Sequence, residues 1–439
     1  MSDDTLSRRQ YLQLTSGASV AAMAGLAGCT GSSDGGGSEN TDSGGDSSGD
    51  SSGDSDDSSG GGSSSLSVWA WNDPGLKDAR QEQASEFKNQ QSASVEWQYY
   101  PWSDYLSKLT SSVSAGEAPD SMALSVLWTP RFGDRGTVPN LGEMGFDSSQ
   151  FLPAGRDNSS YGGELYAVPW YIDCRLIAIN KTKFEAAGLD IPDPMTAPTW
   201  EQFGSWLDAL GSDQNPAFVM APGEGLDAFI LSNGGSFLND DGTEAVINSP
   251  EAVEAAEFLN PYVQDGKVVT RPGTKDLDEF ISGNAAMAYA GCWEYGRLQD
   301  TDIDWQYVPI PKGPSGDSSH SWSAGVYYTI PSKGGNTELG KKWLEYMISD
   351  EVQASVVNVG GFPATKSAYE TDTFKSFIEE NPKLEVVEQE MENAVSFPSH
   401  PKVGEMWTIA HTAAERIWQG QQEPKEALDN AANEIGGLL

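Results

Sequence analysis

The chain changes character at Leu66. Residues 30–65 are almost entirely Gly, Ser, Asp and Thr, with no large apolar side chain. Beyond them the apolar positions recur with two alternating periods. Leu66 to Trp71 reads as a strand, Leu76 to Asn89 places Ala79, Gln83 and Phe87 near one helical face, and Val95, Trp97 and Tyr99 alternate as a strand does. A helix beginning near Ser103 carries Tyr105, Leu106, Leu109 and Val113 at three- and four-residue spacing, and Ala118-Pro119-Asp120 leads into a strand from Met122 to Leu127. A second series follows. Leu176 to Ile179 is a strand, Asn180 can cap a helix that stops at Gly188, and Thr199 with Gln202 forms a capping box for a helix ended by Gly211. Ser249-Pro250 opens a helix to about Val263, Ala288-Tyr289-Ala290 and Trp305 to Ile310 are strands, and Asn336 or Thr337 caps an amphipathic helix with Leu339, Trp343 and Met347. The tail from Val403 to Leu439 is helical. Alternation of the two periods is the signature of an α/β fold, and 439 residues suffice for two sizeable cores.

Charge changes the picture only at the surface. The formal net charge is −39; residues 1–65 hold ten acidic and two basic side chains, so about −31 remains on the rest. Such a surface repels nucleic acid and anionic lipid, and excludes both as partners. It suits a salt-loving host, where screening removes the self-repulsion. His320, His400 and His411 show no metal spacing, and Cys174 and Cys292 cannot build a zinc site without further ligands, so neither metal nor cofactor is expected.

The N-terminus reads as an address. Arg8-Arg9 precedes an Ala-, Gly- and Ser-rich stretch from Leu14 to Gly28, the order of a twin-arginine export signal. That stretch is too short and too weakly apolar to span a membrane. It ends in Leu26-Ala27-Gly28-Cys29, which looks like a lipobox whose Cys29 thiol receives lipid. The segment 29–65 is then a flexible acidic tether, with a reach on the order of 30 Å for a Gly/Ser-rich coil of this length.

Several segments together resemble the family 1 extracellular solute-binding proteins, the maltose-binding-protein-like class. They are Leu66-Ser67-Val68-Trp69-Ala70-Trp71, Glu117-Ala118-Pro119-Asp120, Gly163-Glu164-Leu165-Tyr166-Ala167-Val168-Pro169-Trp170-Tyr171 and Ile179-Asn180-Lys181-Thr182-Lys183-Phe184-Glu185-Ala186-Ala187-Gly188-Leu189. Pro198-Thr199-Trp200-Glu201, Phe280-Ile281-Ser282-Gly283-Asn284-Ala285-Ala286-Met287, Pro309-Ile310-Pro311-Lys312-Gly313 and Gly360-Gly361-Phe362-Pro363-Ala364 follow in order. The resemblance implies a two-lobed, periplasmic-binding-protein-like (type II) fold with hinge strands. Its crossings fall near Asp173 and near Ala324 to Tyr328, giving lobe one as 66–173 and 324–358 and lobe two as 174–323 and 359–439. It also implies a monomeric receptor, not an enzyme, that closes on a small solute and hands it to an ABC permease in the membrane.

In open α/β sheets ligands bind beyond the carboxyl ends of the strands. That rule selects Trp71 and Asn72 after the first strand, Trp128 after the strand at 122–127, Trp170, Tyr171 and Asp173 before the first crossing, Trp293 and Glu294 after Ala288-Tyr289-Ala290, and Trp322 before the second crossing. A sugar offers an apolar C–H face to an aromatic ring and a rim of hydroxyls to Asp, Asn and Glu, so this set points to a neutral sugar or oligosaccharide. Each Trp has core packing as its alternative, and Trp97, Trp200, Trp206, Trp343 and Trp418 sit at core spacing. Asp173 and Arg175 can also form an ion pair across the hinge. Cys174 and Cys292 have two readings, a disulfide tying the hinge to lobe two or two buried thiols. Rival readings keep the receptor but exchange the sugar for a polyol, a glycerol phosphate ester or a peptide, or make the chain an exported carbohydrate-active enzyme using Asp173 and Glu294. The stretch Gly335 to Lys341 imitates a phosphate loop, but Lys342 stands where Ser or Thr would meet the metal. Asn158 and Asn180 open glycosylation sequons.

Overall fold

The computed structural model describes residues 64–212, 215–271 and 275–439. The twin-arginine segment, Cys29 and nearly all of the tether lie outside the described residues. Twelve strands are labelled in chain order: β1 (Ser64–Trp71), β2 (Ala93–Tyr100), β3 (Ser121–Leu124), β4 (Ser160–Tyr161), β5 (Glu164–Leu165), β6 (Val168–Asp173), β7 (Arg175–Asn180), β8 (Phe218–Met220), β9 (Val268–Thr270), β10 (Met287–Gly291), β11 (Trp305–Val308) and β12 (Ala324–Thr329). Among the described residues they form two five-stranded sheets, ordered β2-β1-β3-β12-β6 and β11-β7-β10-β8-β9, and a short β4-β5 hairpin. In the first sheet β1 runs parallel to β2 and β3, while β12 is antiparallel to β3 and β6. The second repeats this mixed pattern, with β8 parallel to β9 and β10, and β7 antiparallel to β10 and β11.

Local chemistry accounts for most element ends. Leu66, Val68 and Ala70 of β1 are fully buried while Ser67 and Trp69 between them are only partly so. This alternation lets the helices Lys77–Gln91 and Trp102–Ala115 pack on the sheet. The expected caps form: the Asn180 side chain accepts from Lys183 N, Thr199 and Gln202 make the full capping box, Ser249 accepts from Ala252 N, and Asn336 accepts from Leu339 N. The phosphate-loop lookalike is therefore the first turn of the helix Thr337–Met347. The strand read as 122–127 ends at Leu124, and the helical tail divides into Val403–Trp418 and Pro424–Gly436, parted by Gly420 at φ +65°. Those two helices pack against Pro222–Leu231 and Pro250–Gln264, below the second sheet's β8–β9 edge. Neither sequon is an open loop: Asn158 is buried, donating to Ser323 O and accepting from Phe397 N, and Asn180 is the buried cap.

One nearly continuous strand runs from sheet to sheet. β6 ends at Asp173, β7 starts at Arg175, and Cys174 between them is fully buried. β12 enters beside this seam, with Ala324 opposite Asp173. A third passage, residues 356–366, runs along it: Phe362 exchanges backbone hydrogen bonds with Ile172 at 2.9 and 3.0 Å, and Ala364 O accepts from Leu152 N at 2.8 Å. The buried Gln353 fastens this passage to β6. Its Nε2 donates to Pro169 O, Trp170 O and Met347 O, and its Oε1 accepts from Ala364 N and Thr365 N. Gly325 sits at φ +126°, and a Cβ there would stand 2.1 Å from Tyr171 O, so only glycine lets β12 lie this close to β6.

Two substitutions probe this seam. Gly325→Ala is expected to lower unfolding stability by on the order of 2 kcal/mol, because a disfavoured backbone conformation and a close contact act together; a urea midpoint equal to wild type would show that the seam relaxes freely. Gln353→Leu strands five buried backbone groups and is expected to cost at least about 3 kcal/mol, since each buried unpaired group costs about 1–3 kcal/mol. A loss below about 1 kcal/mol in the same titration would contradict that role.

Candidate functional site

A cavity of about 310 Å³ opens at the seam, bordered by both sheets and by the second and third passages. From the first sheet's side come Trp71 at the end of β1, Asp73, Trp102 at the first turn of its helix, and Ser125 to Leu127 beyond β3. From the other side come Glu224, Trp293, Trp322, Phe397 and Trp407, while Tyr171, Asp173, Arg175 and Ala324 form the floor. Much of this lining stands at or just beyond strand ends, where the sequence predicts it. A second cavity of about 560 Å³ shares Trp102, Leu127 and Trp407 with the first and adds Trp128, Arg131 and Lys402.

Aromatic contacts fix the walls. The Trp71 ring meets Trp102 edge-on at 5.2 Å, and Trp102 stacks on Trp128 at 4.8 Å and 29° while remaining 50 % exposed. Trp322 stacks on Phe397 at 4.7 Å and 21°. Trp293 occupies the space that glycine leaves at position 291, where a Cβ would come within 2.2 Å of its ring, and Gly360 makes way for its backbone.

The floor is ionic. Arg175 Nη1 lies 2.5 Å from Asp173 Oδ1 and donates to Trp322 O at 3.1 Å, while its Nε approaches Glu224 Oε2 at 3.5 Å. Its guanidinium lies 4.8 Å from the Trp293 ring centre, and Asp173 Oδ1 also accepts from Ala324 N at 2.9 Å. Burial pushes the Asp173 carboxyl above its ordinary range, with Arg175 and the Ala324 amide opposing. Burial works against the Arg175 charge too, but Asp173 and Glu224 outweigh it and hold the guanidinium protonated. The ion pair expected across the hinge is present, and Asp173 both forms it and faces the cavity.

Sequence-selected residues divide here. Trp71, Tyr171, Asp173, Trp293 and Trp322 line the first cavity, and Trp128 lines the second, behind Trp71 and Trp102. Asn72 is exposed and outside both linings; its successor Asp73 is inside. Trp170 is fully buried against Tyr171 and Tyr328, because adjacent strand residues face opposite ways and Tyr171 takes the cavity side. Glu294 is buried outside the cavity lining, where Arg297 Nη1 donates to it at 2.9 Å and burial raises its pKa. The two carboxylates of the enzymatic reading thus do not share the cavity. Cys174 and Cys292 are buried free thiols rather than a disulfide, their backbones joined by Cys292 N donating to Cys174 O at 3.1 Å. Burial, then the adjacent Cys292, pushes the Cys174 thiol well up.

Sequence reasoning did not reach Asp73, Trp102, Glu224, Phe397 or Trp407. Asp73 lies two residues past β1, within the strand-end rule. Trp407 carries no local signal, since its place depends on how the helix Val403–Trp418 docks. Among the described residues, no helix is long and apolar enough to cross a membrane, and no group of three His, Cys, Asp or Glu can hold a metal ion.

Comparison with known proteins places this geometry. The diacetylchitobiose binding protein DasA of Streptomyces coelicolor is 24% identical over 331 residues, 70% of this chain and 75% of that protein. The sn-glycerol-3-phosphate-binding periplasmic protein UgpB of Salmonella typhimurium is 26% identical over 321 residues, 67% and 72% of the two chains. The ABC substrate-binding protein Lmo0181 of Listeria monocytogenes, solved with cycloalternan, superposes with a TM-score of 0.75 at 23% identity, covering 86% of this chain and 99% of its own. The GacH receptor of Streptomyces glaucescens, solved unliganded and with acarbose, gives 0.77 at 19%, covering 86% and 98%. These likenesses establish the two-lobed type II fold. The model of the bacterial extracellular solute-binding proteins matches residues 82–385, and the chain belongs to that family.

Proposed function

We propose that this chain is the exported binding component of an ABC importer and that it captures a neutral oligosaccharide in the cavity at the seam. The observation that carries the reading is the lining itself: Trp71, Trp102, Trp293, Trp322 and Trp407 around a floor in which the one cation, Arg175, is already committed to carboxylates. Indole faces suit the C–H faces of sugar rings, and Asp73, Asp173 and Glu224 suit hydroxyl donors. The shared wall with the second cavity supports a ligand longer than one ring. Homology to DasA and the fold shared with Lmo0181 and GacH favour a sugar over other solutes.

UgpB supports the rival ligand, a glycerol phosphate ester. A phosphate wants several free guanidinium or ammonium groups, whereas in the cavity at the seam three carboxylates face a single arginine, Arg131 and Lys402 lining only the second cavity. The lobes we propose are 66–173 with 324–358 and 174–323 with 359–439, residues 362–366 being attached by hydrogen bonds to lobe one. Their closure about the seam is the proposed response to ligand. Export through Arg8-Arg9, lipid on Cys29, the 29–65 tether, a monomeric state and an acidic coat suited to high salt complete the reading.

The test is a screen of neutral oligosaccharides against residues 64–439 in high salt, following Trp fluorescence and melting together. The sugar that binds is expected to be recovered unchanged and, at a hundred times Kd, to stabilise the fold by about 2.7 kcal/mol. Cleavage would replace the receptor with an enzyme, and a response to glycerol 3-phosphate alone would replace the sugar. Trp102→Ala, at a half-exposed wall, is expected to weaken binding on the order of tenfold, roughly the 1.4 kcal/mol of one lost stacking face. Asn72→Ala is expected to leave Kd unchanged. The reverse pattern would move the site elsewhere.

A further inference from the structure

Two of the cavity's indoles share a support that lies outside the cavity lining. Asp227, in the helix Pro222–Leu231, is 2 % exposed, and its Oδ2 accepts from His411 Nε2 at 2.9 Å and from Trp322 Nε1 at 3.3 Å. His411 stands one turn beyond Trp407 on the helix Val403–Trp418, and their ring centres are 3.8 Å apart. Space for the imidazole is built in: a Cβ at Gly223 would lie 2.0 Å from it. The backbone of Trp322 is held separately, its carbonyl accepting from Arg175. Trp322 and Trp407 come from distant segments, yet one carboxylate–imidazole pair orients one by a hydrogen bond and the other by ring contact.

We propose that His411 and Asp227 are positioning residues that set the Trp322 and Trp407 walls of the cavity, and that the aromatic geometry of the site is thereby tied to pH. The inference rests on reading this cavity as the ligand site, but its test does not need a ligand. The groups facing the pair are Glu224, one turn before Asp227 and in contact with Arg175, and Glu415, one turn after His411. Burial works against a charged imidazole, but Asp227, Glu224 and Glu415 together outweigh it, so the His411 pKa is raised. The direction for Asp227 is also upward, burial first, with His411 opposing. The pair is therefore ionic between these two raised values. Its contribution is present from the raised Asp227 value up to the ordinary histidine value of about 6.5, and falls away below the former as the carboxyl takes up its proton. It is lost as pH rises through the His411 value, because Asp227 then keeps only neutral donors and the imidazolium no longer anchors Trp407.

The experiment is a pH titration of the indole N–H resonances of ¹⁵N-labelled protein, residues 64–439, with Trp322 and Trp407 assigned through Trp322→Phe and Trp407→Phe. In wild type, both resonances are expected to shift with one common inflection above pH 6.5. His411→Gln keeps a donor toward Asp227 but cannot titrate, and the inflection is expected to vanish from both resonances while the melting transition stays cooperative. Asp227→Asn is expected to lower the pKa of His411 and to move the Trp322 resonance at every pH. Indoles that ignore pH in wild type, or an inflection that survives in His411→Gln, would overturn the proposal. A failure of every oligosaccharide to bind would instead sink the ligand reading and leave this titration unaffected.

Discussion

The structure turns on a buried pair of opposite charges, Asp173 and Arg175, one on each side of the residue where the chain passes between sheets. Desolvating two such groups is expensive, and their attraction compensates only when the geometry is good and the remaining hydrogen-bonding capacity is used. Here it is used. Asp173 receives the first amide of β12, and Arg175 reaches the Trp322 carbonyl and Glu224 while lying over Trp293. Cys174 between them is fully buried, and Arg175 N donates to Ser321 Oγ at 3.0 Å. The β6–β7 passage, β12, the helix Pro222–Leu231 and the aromatic wall are thereby referred to one point.

Close backbone approach at that point depends on the absence of side chains. Gly325 brings β12 onto β6, Gly361 lets the third passage run over the Tyr171 ring, and Gly360 and Gly291 frame Trp293. The rings flanking the seam occupy the room those glycines leave, so the aromatic lining follows from the same tight packing that joins the sheets. Gln353 plays the corresponding part for polar groups, satisfying five backbone positions where the third passage leaves the ladder.

Electrostatics separates the cavity from the rest of the surface. The chain beyond residue 65 carries a net charge of about −31, and the cavity's carboxylates are pinned by Arg175 and by backbone donors. An anionic solute would meet both that charge and a floor without a free cation. A neutral solute meets aromatic faces and acceptors that are already oriented, so little side-chain ordering remains to oppose its binding.

How much of this was legible in the sequence depends on the range of the interactions involved. The α/β alternation and the caps at Asn180, Thr199, Ser249 and Asn336 are written in local periods and short hydrogen bonds, which a sequence displays directly; the seam beside Asp173 came from the family resemblance. The strand-end rule likewise found Trp71, Tyr171, Asp173, Trp293 and Trp322. It could not choose between Trp170 and Tyr171, because the chain alone does not say which face of β6 meets the cavity. Nor could it place Glu294, whose direction is set by Arg297, or read Cys174 and Cys292 as thiols, since that depends on the distance and angle between two strands. Trp102, Trp407 and the His411–Asp227 pair lay beyond it entirely. Their meeting depends on the C-terminal helices docking on Pro222–Leu231, and that arrangement exists only once segments far apart in sequence have packed together. Sequence alone therefore determined the elements, through forces that act within a few residues, and through its resemblance the family, and it named about half of the cavity lining. The tertiary structure decided which side chains face one another across the seam, because burial and pairing at long range leave no period in the chain.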